Sequence, residues 1–372
     1  MGIFNNHSMK KKIAILGSTG SIGTTSLNII KKKKNLFDVE LLSANKNYKR
    51  ICQQIVKFKP KYFVVTNSFI FLKIKKRFKN KRTKIINSYD NLSLSKKIDI
   101  TIASIPGIAG LKPTISLVRK SKKILLANKE SVICGWQIIN NLAKKYKTKI
   151  VPIDSEHFSI MKLLENHKKN QIEKIYITAS GGPFLNLPKS KFKNIKPKDA
   201  IKHPKWSMGK KISVDSSTLM NKILELMEAL KIFPFELNKY QIIIHPQSLV
   251  HAIIRFKSGI TKLLYHEPDM TVPISNAIFD SNFDIDNFIN KKNKIKNLEF
   301  FEPDEIRFPA LKLIPKLNKY ISTPIIINAA NEILVDQYLK EKISFNTFYK
   351  YLSEVLNDRN YRKYAIKEPK NI

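Results

Sequence analysis

Residues 11–30 read KKIAILGSTGSIGTTSLNII. Ile13 to Leu16 is a short unbroken apolar run, the mark of a strand buried on both faces of a parallel sheet. Gly17, Gly20 and Gly23 follow at intervals of three, and Ile22, Leu27, Ile29 and Ile30 carry the pattern into a helix. Glycines permit a tight turn and let a phosphate approach the backbone, while the helix start offers free N–H groups to an anion. Ser18 and Thr19 separate the first two glycines, so the spacing is not the usual G-x-G-x-x-G. The stretch alone leaves two readings open: a nucleotide-binding turn or an ordinary strand–helix turn.

Downstream, FDVELLSANKN reads as a second strand with Asn45, Lys46 and Asn47 past its carboxyl end. That is where a Rossmann unit holds the adenosine ribose. A lysine with two asparagines there suits a 2′-phosphate better than a bare hydroxyl, which selects NADPH over NADH; the other reading is a basic turn in a chain rich in them. KYFVVT, DITIASIPGIAGLKPTISLVRKS and KKILLANKES continue the strand–helix alternation. The expected fold is α/β, with an N-terminal Rossmann-like doubly wound sheet. Leu125 and Leu126 should be core, and Asn128, Lys129 and Glu130 should sit at the carboxyl edge, with Lys129 an active-site cation.

The chain has 372 residues, enough for two or three domains. It carries 68 Lys and Arg against 29 Asp and Glu, a net charge of +39. Such a balance raises nucleic acid as a partner, but the cations are spread along the chain rather than gathered on one element with aromatic platforms, so no nucleic acid is expected. Cys52 and Cys134 lie far apart and read as free thiols of a reducing compartment. The N-terminal segment lacks a signal-peptide core, Gly2 is a weak myristoylation cue, and no apolar run reaches spanning length. A cytoplasmic protein without a membrane partner is expected.

The second half holds the acids. PIDSEHF places Asp154 and Glu156 one residue apart, expected at a strand end, where residues two apart share a face. Either both face water, or a hard cation such as Mg²⁺ or Mn²⁺ sits between them. KKISVDSSTLMNKILELMEAL is expected to begin as a short strand and enter a helix. Asn221 and Glu225, four apart, share a helical face. Ser216, Asn221 and Lys222 offer two neutral donors and one cation, a set suited to a phosphate monoester, with Glu225 as a further carboxylate. Leu219, Ile223, Leu226, Met227 and Leu230 read as the apolar stripe of a surface helix. Ser180, Gly181 and Gly182 form a donor-rich turn after a strand. Trp206 and Met208, beside Gly209, sit on a loop that either covers a substrate or anchors between domains. His251, on a strand, reads as a packed and hydrogen-bonded histidine.

GSTGSIG, LLANKES, PIDSEH, SGGPF, HPKWSMGKKISVDS, MNK, HPQS, EPDM and NAANE occur in this order. Together they resemble the 1-deoxy-D-xylulose 5-phosphate reductoisomerase family over nearly the whole chain. The resemblance implies conversion of that ketose phosphate to 2-C-methyl-D-erythritol 4-phosphate, on the non-mevalonate isoprenoid route, by a homodimer. It implies that Thr19, Gly20, Ser21, Ile22, Asn45, Lys46, Asn47, Asn128, Glu130 and Gly209 contact NADPH. It implies that Asp154, Glu156 and Glu225 hold Mg²⁺, Mn²⁺ or Co²⁺ and touch substrate, with Lys129 and His203 as catalytic neighbours. Ser155, Ser180, His203, Ser216, Asn221 and Lys222 match substrate residues, and Trp206 and Met208 the closing loop. The sequence departs from the family pattern at Asn45, Phe158 and Thr271, where glycine, asparagine and arginine are usual.

The expected organisation is a nucleotide-binding domain over 1–150, a catalytic α+β domain over 151–290 with a flexible loop near 203–210, a linker over 291–310 and a helical domain over 311–372. The family closes with one more helix than NDRNYRKYAIKEPKNI accommodates, so that helix is expected shortened or missing, with a low thermal midpoint. A different NADP-dependent reductase of a phosphorylated sugar is the rival activity; it would leave the carbon skeleton unchanged.

Overall fold

The computed structural model describes residues 10–206, 209–289 and 297–369. Met208 and Gly2 lie outside the described residues. The chain divides into two compact units. The first takes in the chain up to Asn128, Ile139–Ile153 and a segment beginning at Pro273; the second takes in Lys129–Ile138, Asp154–Val272 and the C-terminal segment.

The first unit is a seven-stranded sheet in the order β4-β3-β2-β1-β5-β6-β7. Its strands are β1 (Lys11–Leu16), β2 (Phe37–Ala44), β3 (Tyr62–Val65), β4 (Lys84–Ile86), β5 (Ile98–Ala103), β6 (Ser121–Leu126) and β7 (Lys149–Pro152). All neighbours pair in parallel. Helices α1 (Ser21–Lys32), α2 (Tyr48–Phe58), α3 (Ser68–Arg77), α4 (Leu111–Val118) and α5 (Lys129–Tyr146) alternate with them. The apolar runs have the expected cause: Ile13, Ala14, Ile15, Leu125 and Leu126 are fully buried. Strand order reverses between β1 and β5, and such a switch point opens a crevice at the carboxyl ends of the strands.

The second unit holds a four-stranded sheet in the order β11-β10-β8-β9. Its strands are β8 (Ile172–Ala179), β9 (Tyr240–Ile244), β10 (Val250–Phe256) and β11 (Thr261–Tyr265). Helices α6 (Ser155–Leu164), α7 (Pro197–Ala200), α8 (Lys210–Ser217) and α9 (Met220–Ile232) precede β9, and α10 (Thr271–Phe279) follows β11. The C-terminal region is helical, with α11 (Thr323–Leu339), α12 (Phe348–Asn357) and the five-residue α13 (Tyr361–Ala365).

Several local expectations are corrected. KKISV is not a strand but the start of α8: Ser213 and Ser217 hydroxyls bond back to the Gly209 and Val214 carbonyls, so the polar residues are satisfied within the helix. α9 is not a surface helix, since every residue from Met220 to Ala229 is buried. RFPALKLIPKL carries a 3₁₀ helix over Pro309–Lys316, with Pro315 inside it. The NAANE stretch, Asn328 to Glu332, lies inside α11.

Candidate active site

In the first unit the glycine turn is sterically required. Gly17 has φ +79°, and a Cβ there would lie 2.9 Å from the Ser104 carbonyl oxygen. A Cβ on Gly23 would lie 2.4 Å from the Gly17 oxygen, so α1 can pack on the turn only with glycine there. Gly20 caps α1 without a side-chain hydrogen bond, and no acid occupies the first turn. Gly20 and Ser21 are exposed, Thr19 and Ile22 half-buried. Asn45, Lys46 and Asn47 are exposed past β2. Asn47 caps α2 by accepting from the Arg50 N–H at 3.1 Å. Arg50, missed in the sequence, donates to the Thr19 carbonyl at 2.7 Å, and Gln54 donates to that of Ser18 at 2.9 Å. These contacts brace the turn from α2. The buried Asn128 amide donates to the Ile105 and Gly107 carbonyls at 2.7 and 3.0 Å, which fixes the loop after β5.

In the second unit the acids do not sit on a strand. β7 ends at Pro152, and Asp154 is the N-cap of α6, accepting from the Glu156 N–H at 3.3 Å. A short acceptor and negative charge are both favoured at a helix N-terminus, which explains the Asp-Ser-Glu spacing locally. α9 brings Asn221, Lys222 and Glu225 to the same place. Oxygens of Asp154, Glu156 and Glu225 lie within 4.8 Å of one another. The Lys129 ammonium donates to Asn221 Oδ1 at 2.7 Å and Glu225 Oε1 at 3.2 Å, and stands 3.4 Å from Asp154 Oδ2. Lys222 donates to Glu225 Oε2 at 2.6 Å and to Glu156 Oε1. Ser155 donates to Glu156 Oε2, and the Asn221 amide to Glu225 Oε1.

Two residues the sequence reading missed lie behind this cluster. His157 Nδ1 is 3.1 Å from Asp154 Oδ1 and 3.5 Å from Glu228 Oε2, and its Nε2 donates to the Glu225 carbonyl at 2.9 Å. Neither Glu228 oxygen has a hydrogen-bond partner among the described residues. Burial opposes the charge on His157, but Glu228 and Asp154 overcome it and raise its pKa to about 9. Burial pushes the Glu228 carboxyl up to about 7, against the pull of His157. Burial would likewise raise Asp154, yet Lys129 and His157 hold it well below the carboxylate range. Burial and the Glu156 charge raise Glu225. Burial works against both ammonium groups, yet the facing acids raise Lys129 and Lys222 above the usual lysine value. Four acids thus face three cations. Hard oxygen donors in excess of positive charge fit a divalent cation of the Mg²⁺ or Mn²⁺ kind.

A second group converges after β8. His203 Nδ1 accepts from the N–H groups of Lys205 and Trp206 at 3.1 and 2.9 Å. Its proton therefore sits on Nε2, which donates to Ser180 Oγ at 3.0 Å. Burial lowers the His203 pKa to about 4, with Lys222 adding to the effect, in keeping with a neutral ring. Ser180 Oγ also accepts from the Gly182 N–H at 3.1 Å, which leaves its own hydrogen for a further acceptor. Gly182 has φ +67°, and a Cβ there would lie 2.8 Å from the Ser216 carbonyl, so the turn rests directly on α8. Glu130 pairs with Lys211 at 3.0 Å, and Lys211 with Asp215 at 2.9 Å. Gly209 is an exposed N-cap of α8.

A doubly wound sheet with a glycine turn at one edge of its switch point, and a buried carboxylate–lysine centre in the second unit, define a class: dinucleotide-fold proteins with a divalent-cation type of acid cluster. Family comparison narrows it. Residues 13–135 match the family model described as 1-deoxy-D-xylulose 5-phosphate reductoisomerase; residues 150–233 match its C-terminal domain, and 266–371 a DXP reductoisomerase C-terminal domain. A 1-deoxy-D-xylulose 5-phosphate reductoisomerase of Pelagibacter ubique is 47% identical over 371 residues, covering 97% of this chain and 95% of that protein. One from Sulfurihydrogenibium is 40% identical, covering 95% and 92%. Among solved structures, DOX-P reductoisomerase in complex with NADPH, fosmidomycin and magnesium superposes with a TM-score of 0.89 at 31% identity, over 96% of this chain and 92% of that one. The Zymomonas mobilis enzyme in complex with NADPH gives 0.85 at 31% identity, over 97% and 94%. The chain belongs to the 1-deoxy-D-xylulose 5-phosphate reductoisomerase family.

Proposed function

We propose that the protein catalyses the NADPH-dependent rearrangement and reduction of 1-deoxy-D-xylulose 5-phosphate to 2-C-methyl-D-erythritol 4-phosphate, for isoprenoid precursors. The observation that carries the reading is the convergence of Asp154, Glu156 and Glu225 within 4.8 Å, with Lys129 and Lys222 between them. Those three carboxylates would hold Mg²⁺, Mn²⁺ or Co²⁺. When bound, the cation supplies Lewis-acid polarisation of the ketose oxygens and NADPH supplies the hydride.

The chain's own residues do the rest. Lys129 gives an ammonium proton to a substrate oxygen beside the carboxylates. Lys222, Asn221, Ser216, Ser155 and Ser180 are the donors for the remaining substrate oxygens, the phosphate among them. His203 holds Ser180 as a hydrogen donor and touches substrate through the same edge. Trp206 covers the substrate and keeps water from the aldehyde that forms when the skeleton is cut and rejoined by retro-aldol and aldol steps. The turn at Thr19, Gly20, Ser21 and Ile22 receives the NADPH phosphates; Asn45, Lys46 and Asn47 face its ribose end; Asn128, Glu130 and Gly209 are further cofactor contacts. Preference for NADPH over NADH should fall when Lys46 is replaced, and equal affinity for the two cofactors in the unmodified protein would remove Lys46 from that role.

We infer a division into a cofactor domain over 1–150, a catalytic domain over 151–290, a linker over 291–310 and a helical domain over 311–372; the separate matches over 13–135 and 150–233 favour the first of these boundaries. We further infer a cytoplasmic homodimer with no nucleic-acid or membrane partner; no described helix is long and apolar enough to cross a membrane. Sedimentation of the purified protein reads the dimer directly. The decisive assay follows NADPH oxidation with the ketose phosphate and Mn²⁺. Oxidation should need all three, and carbon-labelled product should show a branched skeleton. An unbranched product would mean a simple sugar-phosphate reductase.

A further inference from the structure

Three rings stand in a row in the second unit. The imidazoles of His251 and His266 stack with centroids 3.8 Å apart and planes 16° from parallel. Trp206 meets His251 edge-on at 5.9 Å and 71°. His251 is 2% exposed and His266 7%. Neither ring is hydrogen-bonded to the carboxylates or their lysines, although Lys222 and Asp154 are near enough to act on the charge of His251, and the reaction above uses neither ring.

The backbone is arranged to produce this stack. Val250 pairs with Tyr265 and Ala252 with Leu264, so the β10–β11 register shifts across His251. An extra residue at such a bulge re-aims its side chain. His251 Nε2 then donates to the His266 carbonyl at 3.2 Å, so one residue fixes the His251 ring at two points, by its own ring and by its main chain. His266 Nδ1 donates to the Glu267 carbonyl at 2.6 Å, which makes Nε2 the acceptor. That Nε2 is buried with no hydrogen-bond partner among the described residues. Two features suit an imidazole to this position: Nδ1 anchors the ring to the Glu267 carbonyl, and the flat face meets His251. Burial lowers both histidines to about 3, so two neutral rings face each other without charge repulsion.

Trp206 is held from the other side as well, since its N–H donates to His203 Nδ1 at 2.9 Å. His203 orients the main chain of this residue and His251 meets the indole. We propose that His266 is a positioning residue: it fixes the His251 ring as the platform against which the Trp206 indole packs, and so sets the pose of the side chain that covers the substrate. This rests on the reading of Trp206 given under the proposed function.

The chain has two tryptophans, Trp136 and Trp206, so a Trp136→Phe background isolates the indole of interest. In that background, without substrate, His266→Ala should lower the fluorescence anisotropy of Trp206 and raise its quenching by acrylamide. KM for 1-deoxy-D-xylulose 5-phosphate should rise about 3- to 10-fold, the range expected for losing one ring–ring contact, with kcat changed less than about 2-fold. His266→Phe restores a flat ring, though not the Nδ1–H donor, and should return both readouts most of the way to the parent values. Circular dichroism and a thermal melt check that each variant is folded. An unchanged Trp206 signal in folded His266→Ala, or a folded His266→Phe that behaves like the alanine variant, overturns the proposal. If the parent protein fails to turn over the ketose phosphate, the proposed function falls, while the fluorescence arm still decides whether His266 sets the platform.

Discussion

Glu225 receives hydrogen bonds from Lys129, Asn221 and Lys222, and its main-chain oxygen receives one from His157. Glutamine keeps the size and removes the charge. Glu225→Gln should therefore lower kcat at least about 100-fold, the scale on which preorganised charge acts in such sites, while NADPH affinity by calorimetry stays within about 2-fold. Burial and Glu156 already disfavour this charge, and three acids would still face three cations, so the variant should keep its stability in urea within about 1 kcal/mol of the parent. If NADPH affinity drops in step with kcat, Glu225 belongs to the cofactor site instead. Acid sensitivity follows from other residues. His251 and His266 titrate near 3 in the fold and His203 near 4, against an ordinary 6.5, because burial disfavours their charged forms. A depressed folded pKa means that the unfolded chain takes up the proton first. Stability is fully present above pH 6.5 and is lost as pH falls toward the folded values, by up to about 1.4 kcal/mol per pH unit for each of the buried His251 and His266 and by less for the part-exposed His203. His266→Phe removes one of these protons, so its urea midpoint should fall less steeply from pH 6.5 to 5 than that of the parent. Equal slopes would mean that His266 is charged in the fold.

At the scale of elements, two glycines separate sterics from chemistry. Gly182 needs φ +67° and has the Ser216 carbonyl where a Cβ would go, whereas a Cβ on Gly209 meets nothing within 4 Å. Gly182→Ala should cost about 1–3 kcal/mol and raise substrate KM by pushing the Ser180 turn off α8. Gly209→Ala should cost less than about 1 kcal/mol, the loss of a better N-cap residue for α8, because no atom stands where its Cβ would go. A stable Gly182→Ala protein would show that the turn can shift without loss. The same contrast explains what the chain reveals before it is folded. The parallel sheet was legible because strands buried on both faces read as continuous apolar runs, and the glycine turn because its spacing has a steric cause. The acid pair was legible as chemistry but not as structure: Asp154 and Glu156 suited a strand end equally well, and only the N-cap shows why they stand so close. α9 misled because its polar face is as buried as its apolar one, so periodicity indicated a surface that does not exist. His157 and Glu228 were invisible as partners because no local spacing links two distant segments. The His251–His266 stack depends on a register shift, which no residue pattern announces.

Over the whole molecule, the net charge of +39 has to act on stability and on encounter at once. Most of these cations have no paired acid, since 68 basic residues face 29 acidic ones. Like charges carried by a folded unit repel, and salt screens them over a Debye length of about 10 Å at 0.1 M. Adding NaCl from low to moderate concentration should therefore stabilise the fold by on the order of 1 kcal/mol, read as a rise of about 2–4 °C in the thermal midpoint. The last described helix, α13, has five residues. It is nonetheless tied down: Ser322 N–H donates to the Ala365 carbonyl at 2.9 Å, and the Thr323 and Tyr361 hydroxyls meet at 2.5 Å. The same field draws in the ligands, since both NADPH and a ketose phosphate are anions. Screening should weaken that steering, so kcat/KM for both should fall over the salt range in which the midpoint rises. Buried contacts such as Lys129 with Glu225 are screened far less, so kcat should stay nearly constant. The opposite signs are the test. If midpoint and kcat/KM fall together, salt is disrupting the ion-paired centre, and the surplus charge is not what governs either property.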